Sequence, residues 1–233
     1  MPVRHHHNMH VPGEPDATML LMPAWIPGEH IGVKIVNVMP GNSQRGLPAI
    51  AASYLLSDGK TGEMLAMIDG GELTARRTAA ASALAADYLA RRDAAELLIV
   101  GTGRLAANLA EAHAAVRPIE RIFVWGRDID RAVHKAEAIS RATGIHAEAA
   151  VTLEGAVRDA DIVSTCTLSS QPLIRGDWLK PGAHLDLVGA FKPEMRECDD
   201  EAMRIAEVFV DTRDGATTEG GDIVQAIHNG ALS

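Results

Sequence analysis

Aromatic residues are scarce, 3% of 233, which argues against a base-stacking surface for single-stranded nucleic acid. Cysteine is nearly absent. Cys166 and Cys198 stand far apart and without Cys-x-x-Cys spacing, so neither a disulfide framework nor a structural zinc site is indicated, and a reducing cytoplasm fits. No uninterrupted apolar run approaches the roughly 18 residues of a membrane span. The start, Met-Pro-Val-Arg-His-His-His, lacks the apolar stretch of a secretion signal. Basic residues are outnumbered, 22 Lys+Arg against 31 Asp+Glu for a net charge of −9, which disfavours attraction to a phosphate backbone. The expectations are no nucleic-acid partner, no membrane and a cytoplasmic location.

The chain does have the means to fold: 47% hydrophobic and 23% charged residues, over a length suited to one large or two modest domains. Residues 1–30, rich in Pro, Gly and His, read as an irregular lead-in with one short strand at Met19–Met22. Strands are predicted over 31–38 and 51–56, the latter forming a hairpin through Ser57–Gly62 with 64–68. Glu72–Arg91, filled with Ala and Leu and free of Gly and Pro, predicts a long helix. From Ala94 the rhythm becomes strand and helix in turn: strands over 97–100, 121–125, 161–165, 184–188 and 208–211, helices over 105–116 and 129–143. These strands are short and apolar throughout, as in a parallel sheet covered on both faces. From Thr212 a loop is expected, then a helix starting near Ile223.

One turn carries chemistry. Leu97–Val100 runs into Gly101-Thr102-Gly103-Arg104-Leu105-Ala106, a G-x-G-x-x-A between an apolar strand and a helix. Gly101 permits the tight turn, Gly103 lets the backbone approach phosphates, and Ala106 allows close packing, so a dinucleotide pyrophosphate would sit at the helix N-terminus. A Rossmann-type domain is the expected fold. The next strand ends in Gly126-Arg127-Asp128, where an NAD site usually presents an acid to the ribose. Arg127, helped by Arg131, would pair with a 2′-phosphate and point to NADPH over NADH, while Asp128 reads equally well as a helix cap. Lys34, inside an apolar strand, and Arg77, inside an Ala-rich helix, either face solvent or meet an anion. The histidines at 5–7 and 10 have no completing ligand, so no metal is expected. Cys166 has no matched base and reads as a small buried residue near the cofactor rather than a nucleophile.

Met-Pro-Ala-Trp (22–25), Gly-Val-Lys-Ile-Val (32–36), Pro-Gly-Asn (40–42), Asp-Gly-Gly-Glu-Leu-Thr-Ala-Arg-Arg-Thr-Ala-Ala-Ala-Ser (69–82), Gly-Thr-Gly (101–103), Ala-Asp-Ile-Val (160–163) and Gly-Asp-Trp-Leu-Lys-Pro-Gly-Ala-His (176–184) follow one another along essentially the whole chain. In order and spacing they resemble the ornithine cyclodeaminase/mu-crystallin family. The resemblance implies NAD(P) on a Rossmann-type domain, here residues 93–212, and a smaller strand-rich substrate and dimerisation domain, residues 1–92 with the tail 213–233. It implies a homodimer and a small amino or imino acid as substrate. It makes Lys34 and Arg77 the catalytic clamp on the substrate carboxylate, with Arg4 as a further carboxylate-binding residue. It places Thr78, Gly101, Thr102, Gly103, Arg104, Leu105, Gly126, Arg127, Thr165, Thr167, Val188 and Gly189 beside the cofactor.

The departure from the family decides the expected reaction. In cyclodeaminases the segment after the Val-Gly-Ala strand presents an aspartate that exchanges protons; this chain has Phe191, and Glu194 and Glu197 lie further along. Val-Gly-Ala-Phe-Lys-Pro-Glu-Met-Arg-Glu (188–197) looks like the subgroup that reduces Δ1-pyrroline-2-carboxylate and Δ1-piperideine-2-carboxylate. Phe191 would then be an apolar wall of the substrate pocket. The alternatives are ornithine cyclodeaminase, an alanine dehydrogenase-like enzyme, or, because family members usually extend further at both ends, a nucleotide-binding chain without turnover.

Overall fold

Five strands build an antiparallel meander at the start of the chain: β1 (His5–Met9), β2 (Ala17–Ile26), β3 (His30–Val38), β4 (Ile50–Asp58) and β5 (Met64–Asp69), neighbours in that order. The computed structural model describes residues 5–232, and the chain divides into two units at Arg77/Thr78. The hairpin of β4 and β5 follows the sequence expectation. The lead-in does not: β2 is a strand of 10 residues paired along its length with β3, Met22 opposite Lys34 and Pro23 opposite Val33. Pro, Gly and His suggest breaks, but a long partner strand decides strand formation more than local propensity does.

The helix α1 (Gly70–Leu89) starts at Asp69, whose Oδ1 accepts the Glu72 N–H at 2.8 Å, a cap that moves the start two residues ahead of the expected Glu72. Ala75, Ala79, Ala83 and Ala86 are buried and recur at near-helical spacing, so one face of α1 is a stripe of small side chains that permits close packing.

The second unit is a parallel sheet in the spatial order β10-β9-β6-β7-β8: β6 (Glu96–Val100), β7 (Arg121–Trp125), β8 (His146–Ala149), β9 (Ile162–Thr165) and β10 (His184–Leu187). Between them run α2 (Leu105–Val116), α3 (Ile129–Thr143) and α4 (Leu153–Asp159). The central strand β6 has Leu97, Leu98, Ile99 and Val100 fully buried, which is why it reads as unbroken apolar sequence. Each such side chain contributes about 1.5–3 kcal/mol on burial. The strand β8 went unexpected because His146 and Glu148 sit on its exposed face and interrupt the apolar pattern.

Three further differences concern the last third. Val208–Asp211, expected as a strand, pairs with no described strand, and Phe209 is 56% exposed. An apolar run without a ladder partner forms no strand. The loop expected from Thr212 holds a short helix, α6 (Arg213–Thr218), between α5 (Asp200–Ile205) and α7 (Gly221–His228). The tail does not belong with the strand-rich domain: residues 213–232 fall in the second unit, where Ala226 of α7 is buried against a core that includes Leu98, Val100 and Ile174. No described helix is long and apolar enough to cross a membrane.

Candidate functional site

The carboxyl ends of β6, β7, β9 and β10 bring together most of the residues expected at the cofactor, where ligands of open parallel sheets bind. Gly101 takes φ +131°, and a Cβ there would lie 2.8 Å from Cys166 Sγ and 3.0 Å from its carbonyl oxygen, so the turn accepts glycine alone. Gly103 is the opposite case: it is exposed, and a Cβ built on it meets nothing within 4 Å. The backbone there is open to a ligand. The helix α2 begins without a side-chain cap, which leaves its N-terminal dipole available to an anion. Beside it, Thr102 and Gly103 with Arg131, His134, Lys135 and Ala138 of α3 line a groove of about 370 Å³ whose charge is basic. A bare glycine turn, an uncapped helix start and basic side chains fit a dinucleotide phosphate.

Asp128 does serve as the cap of α3, its Oδ1 accepting the N–H groups of Asp130 at 3.0 Å and Arg131 at 3.2 Å. Arg127 beside it is exposed, and Gly126 lies against Thr102, where a Cβ would come within 2.6 Å of Cγ2. Arg104 and Leu105 open α2. Burial pushes the Cys166 thiol up to about 12, away from the thiolate that nucleophilic attack needs at neutral pH.

At the ends of β9 and β10 sits a carboxylate to which the sequence reading gave no role. Glu197 is fully buried, yet accepts four hydrogen bonds, all at 2.7 Å: Oε1 from the Thr167 N–H and Oγ1, Oε2 from Thr165 Oγ1 and the Gly189 N–H. Burial pushes its pKa up, against those four donors. Behind it, Asp222 Oδ1 accepts the N–H groups of Glu197 at 2.8 Å and Cys198 at 2.9 Å. Asp222 is the acid of Gly-Gly-Asp at the start of α7, and an acid at a helix start was the available signal. Phe191 follows Val188 and Gly189 just past β10; it is 52% exposed and its N–H donates to the Gly189 carbonyl at 3.1 Å.

The expected carboxylate clamp lies in the first unit. Lys34 shares a face of β3 with Gly32 and Val36, and its Nζ donates to Thr74 Oγ1 at 3.3 Å. Tyr54, opposite Lys34 in the ladder, lays its hydroxyl over Gly32, where a Cβ would sit 1.8 Å away. Arg77 is one helical turn beyond Thr74 on α1 and exposed, and its guanidinium makes no hydrogen bond or ion pair among the described residues. Thr78 is next along α1 and half-buried. Arg4 lies outside the described residues. The histidines at 5–7 are exposed on β1, and His10 Nδ1 is 3.1 Å from Asp16.

Comparison with known proteins adds the family. Residues 3–232 match the model of the ornithine cyclodeaminase/mu-crystallin family. The chain is 48% identical over 218 residues to an uncharacterised protein of Schizosaccharomyces pombe, covering 92% of this chain and 66% of that protein. It is 43% identical over 224 residues to the Delta(1)-pyrroline-2-carboxylate reductase of Paracoccus denitrificans, covering 95% and 70%. Among solved structures, Thermococcus litoralis Delta(1)-pyrroline-2-carboxylate reductase in complex with NADH and L-proline superposes with a TM-score of 0.88 at 34% identity, covering 98% of this chain and 71% of that one. The chain thus spans 66%, 70% and 71% of the lengths of these relatives.

Proposed function

Because the chain belongs to the ornithine cyclodeaminase/mu-crystallin family, we propose that it is an oxidoreductase acting on C=N. It reduces a cyclic imino acid, Δ1-pyrroline-2-carboxylate or Δ1-piperideine-2-carboxylate, to L-proline or L-pipecolate with NADPH or NADH. The observation that carries this reading is the segment after β10. It offers a half-exposed phenyl ring at Phe191, while the buried acid within reach, Glu197, has both oxygens committed to four donors. Ring closure with loss of ammonia needs an acid free to exchange protons, and reduction does not.

Reduction needs a hydride on carbon and a proton on nitrogen, and the ketimine enters already protonated as the iminium. When bound, the reduced nicotinamide supplies the hydride. The remaining work is binding and orientation. Arg77 gives the substrate carboxylate a planar pair of N–H donors, and Lys34 adds a point charge that Thr74 steadies through its hydroxyl. Phe191 excludes water from the ring.

The basic groove lined by Arg131, His134 and Lys135, with exposed Arg127 at the end of β7, supports NADPH as the preferred cofactor. The first unit is read as the substrate and dimerisation domain; Met64, Leu65 and Met67, 52–73% exposed on the edge strand β5, support a homodimer. Two free cysteines fit a cytoplasmic setting. The test follows loss of NADPH and NADH absorbance with both ketimines, with Arg77→Ala as control. Turnover in the wild type that falls at least tenfold at low ketimine concentration in the control supports the reading; ammonia release from ornithine, or no turnover in a chain that binds cofactor, overturns it.

A further inference from the structure

Glu197 is not idle. A buried carboxylate is costly unless its lone pairs are filled. Here each oxygen takes two donors, and the four come from two different strand ends: Thr165 and Thr167 at the end of β9, Gly189 after β10. Those ends are in direct contact, since a Cβ on Gly189 would lie 2.0 Å from the Thr167 carbonyl oxygen. The carboxylate is itself anchored. Its backbone N–H is held by Asp222, and its carbonyl accepts the N–H groups of Leu173 and Ile174, both at 2.9 Å.

We infer that Glu197 is a positioning residue for the cofactor: its carboxylate clamps the turn after β9 to the turn after β10 and so holds Thr165–Thr167 and Val188–Gly189 in the shape that receives the nicotinamide half. The inference rests on the reading above for what binds, and on the hydrogen bonds for the clamp. Only a carboxylate suits the position. Glutamine would turn an N–H₂ donor towards two donors, and aspartate is one methylene too short to reach both turns. The pyrophosphate, by contrast, belongs to Gly101–Gly103 and the start of α2, with which Glu197 makes no hydrogen bond among the described residues.

That division supplies the test. Fluorescence titration with NADPH and NADH, and competition by ADP-ribose, are compared in the wild type and Glu197→Gln. The dinucleotides are expected to bind at least tenfold more weakly in the variant, with ADP-ribose unchanged. Equal loss for all three ligands, or no loss, overturns the clamp. Should Glu197→Gln fail to fold, Asp222→Ala, which removes the anchor behind Glu197, is expected to show the same selective loss, and an equal loss overturns the clamp. In the nucleotide-free wild type the amides of Thr167 and Gly189 are expected to exchange with deuterium at least tenfold more slowly than those of neighbouring exposed turns; fast exchange overturns the clamp without any variant. A wild type that binds dinucleotide but reduces no ketimine sinks the reductase reading alone. A wild type that binds no nucleotide sinks both.

Discussion

Arg91 and Asp161, 70 residues apart in sequence, meet side chain to side chain at 2.6 Å, Nη2 to Oδ1. The same carboxylate accepts the N–H groups of Ala95 at 2.9 Å and Glu96 at 3.0 Å and pairs with Lys180 at 2.8 Å. One side chain, 8% exposed, thus ties the residues after α1 to the start of β6 and to the approach to β10.

These partners outweigh the cost of burying Asp161 and hold its pKa at about 2, below the usual aspartate value. A lowered acid pKa contributes stability that is fully present above the unfolded value and is lost as pH falls through the folded one. Asp161→Asn is therefore expected to cost about 2 kcal/mol at pH 7, with the difference from wild type vanishing between about pH 4 and pH 2. Urea titrations at several pH values check this; a constant difference down to pH 2 refutes it.

Gly101→Ala forces a Cβ into the left-handed half of the map and onto Cys166. The strain costs roughly 1–3 kcal/mol, and the displaced turn is expected to weaken both NADPH and NADH. Thermal melting and cofactor titration read the two effects. Gly103→Ala, with open space at its Cβ, is the contrast: melting unchanged, nucleotide binding weakened.

Arg77→Ala removes the planar donor of the proposed clamp. A charge-assisted pair is worth about 1.5–3 kcal/mol, so KM for the ketimine is expected to rise roughly 10- to 150-fold while the Kd for NADPH stays put. Steady-state kinetics with a separate cofactor titration separates the two quantities, and a matching rise in the cofactor Kd contradicts the assignment.

Phe191→Asp is expected to slow ketimine reduction by roughly tenfold without abolishing it, since the ring in its proposed role excludes water and moves no proton. Complete loss in a variant that still melts like the wild type and binds cofactor contradicts an apolar role.

Arg127→Ala is expected to weaken NADPH about tenfold and leave NADH unchanged, because only the former carries the 2′-phosphate. Equal affinities for both cofactors in the wild type overturn the preference.

Local pattern determined a good deal on its own. Leu97–Val100 is apolar at every position because both faces of β6 are covered, and Gly101-Thr102-Gly103 announces its turn because only glycine tolerates that φ beside Cys166. Both are properties of a few consecutive residues, so they are visible in a line of letters. Tertiary structure alone decided the rest. Whether Met19–Ile26 or Val208–Val210 becomes a strand depends on a partner: β3 lies alongside the first and no described strand alongside the second. In the sequence Glu197 carries no assigned role and Asp161 is only the first residue of an expected strand, and folding alone brings their donors, 8 to 70 residues away, within hydrogen-bond reach. A periodicity is written into consecutive side chains, whereas the partners of a buried charge are chosen by the packing of the whole domain.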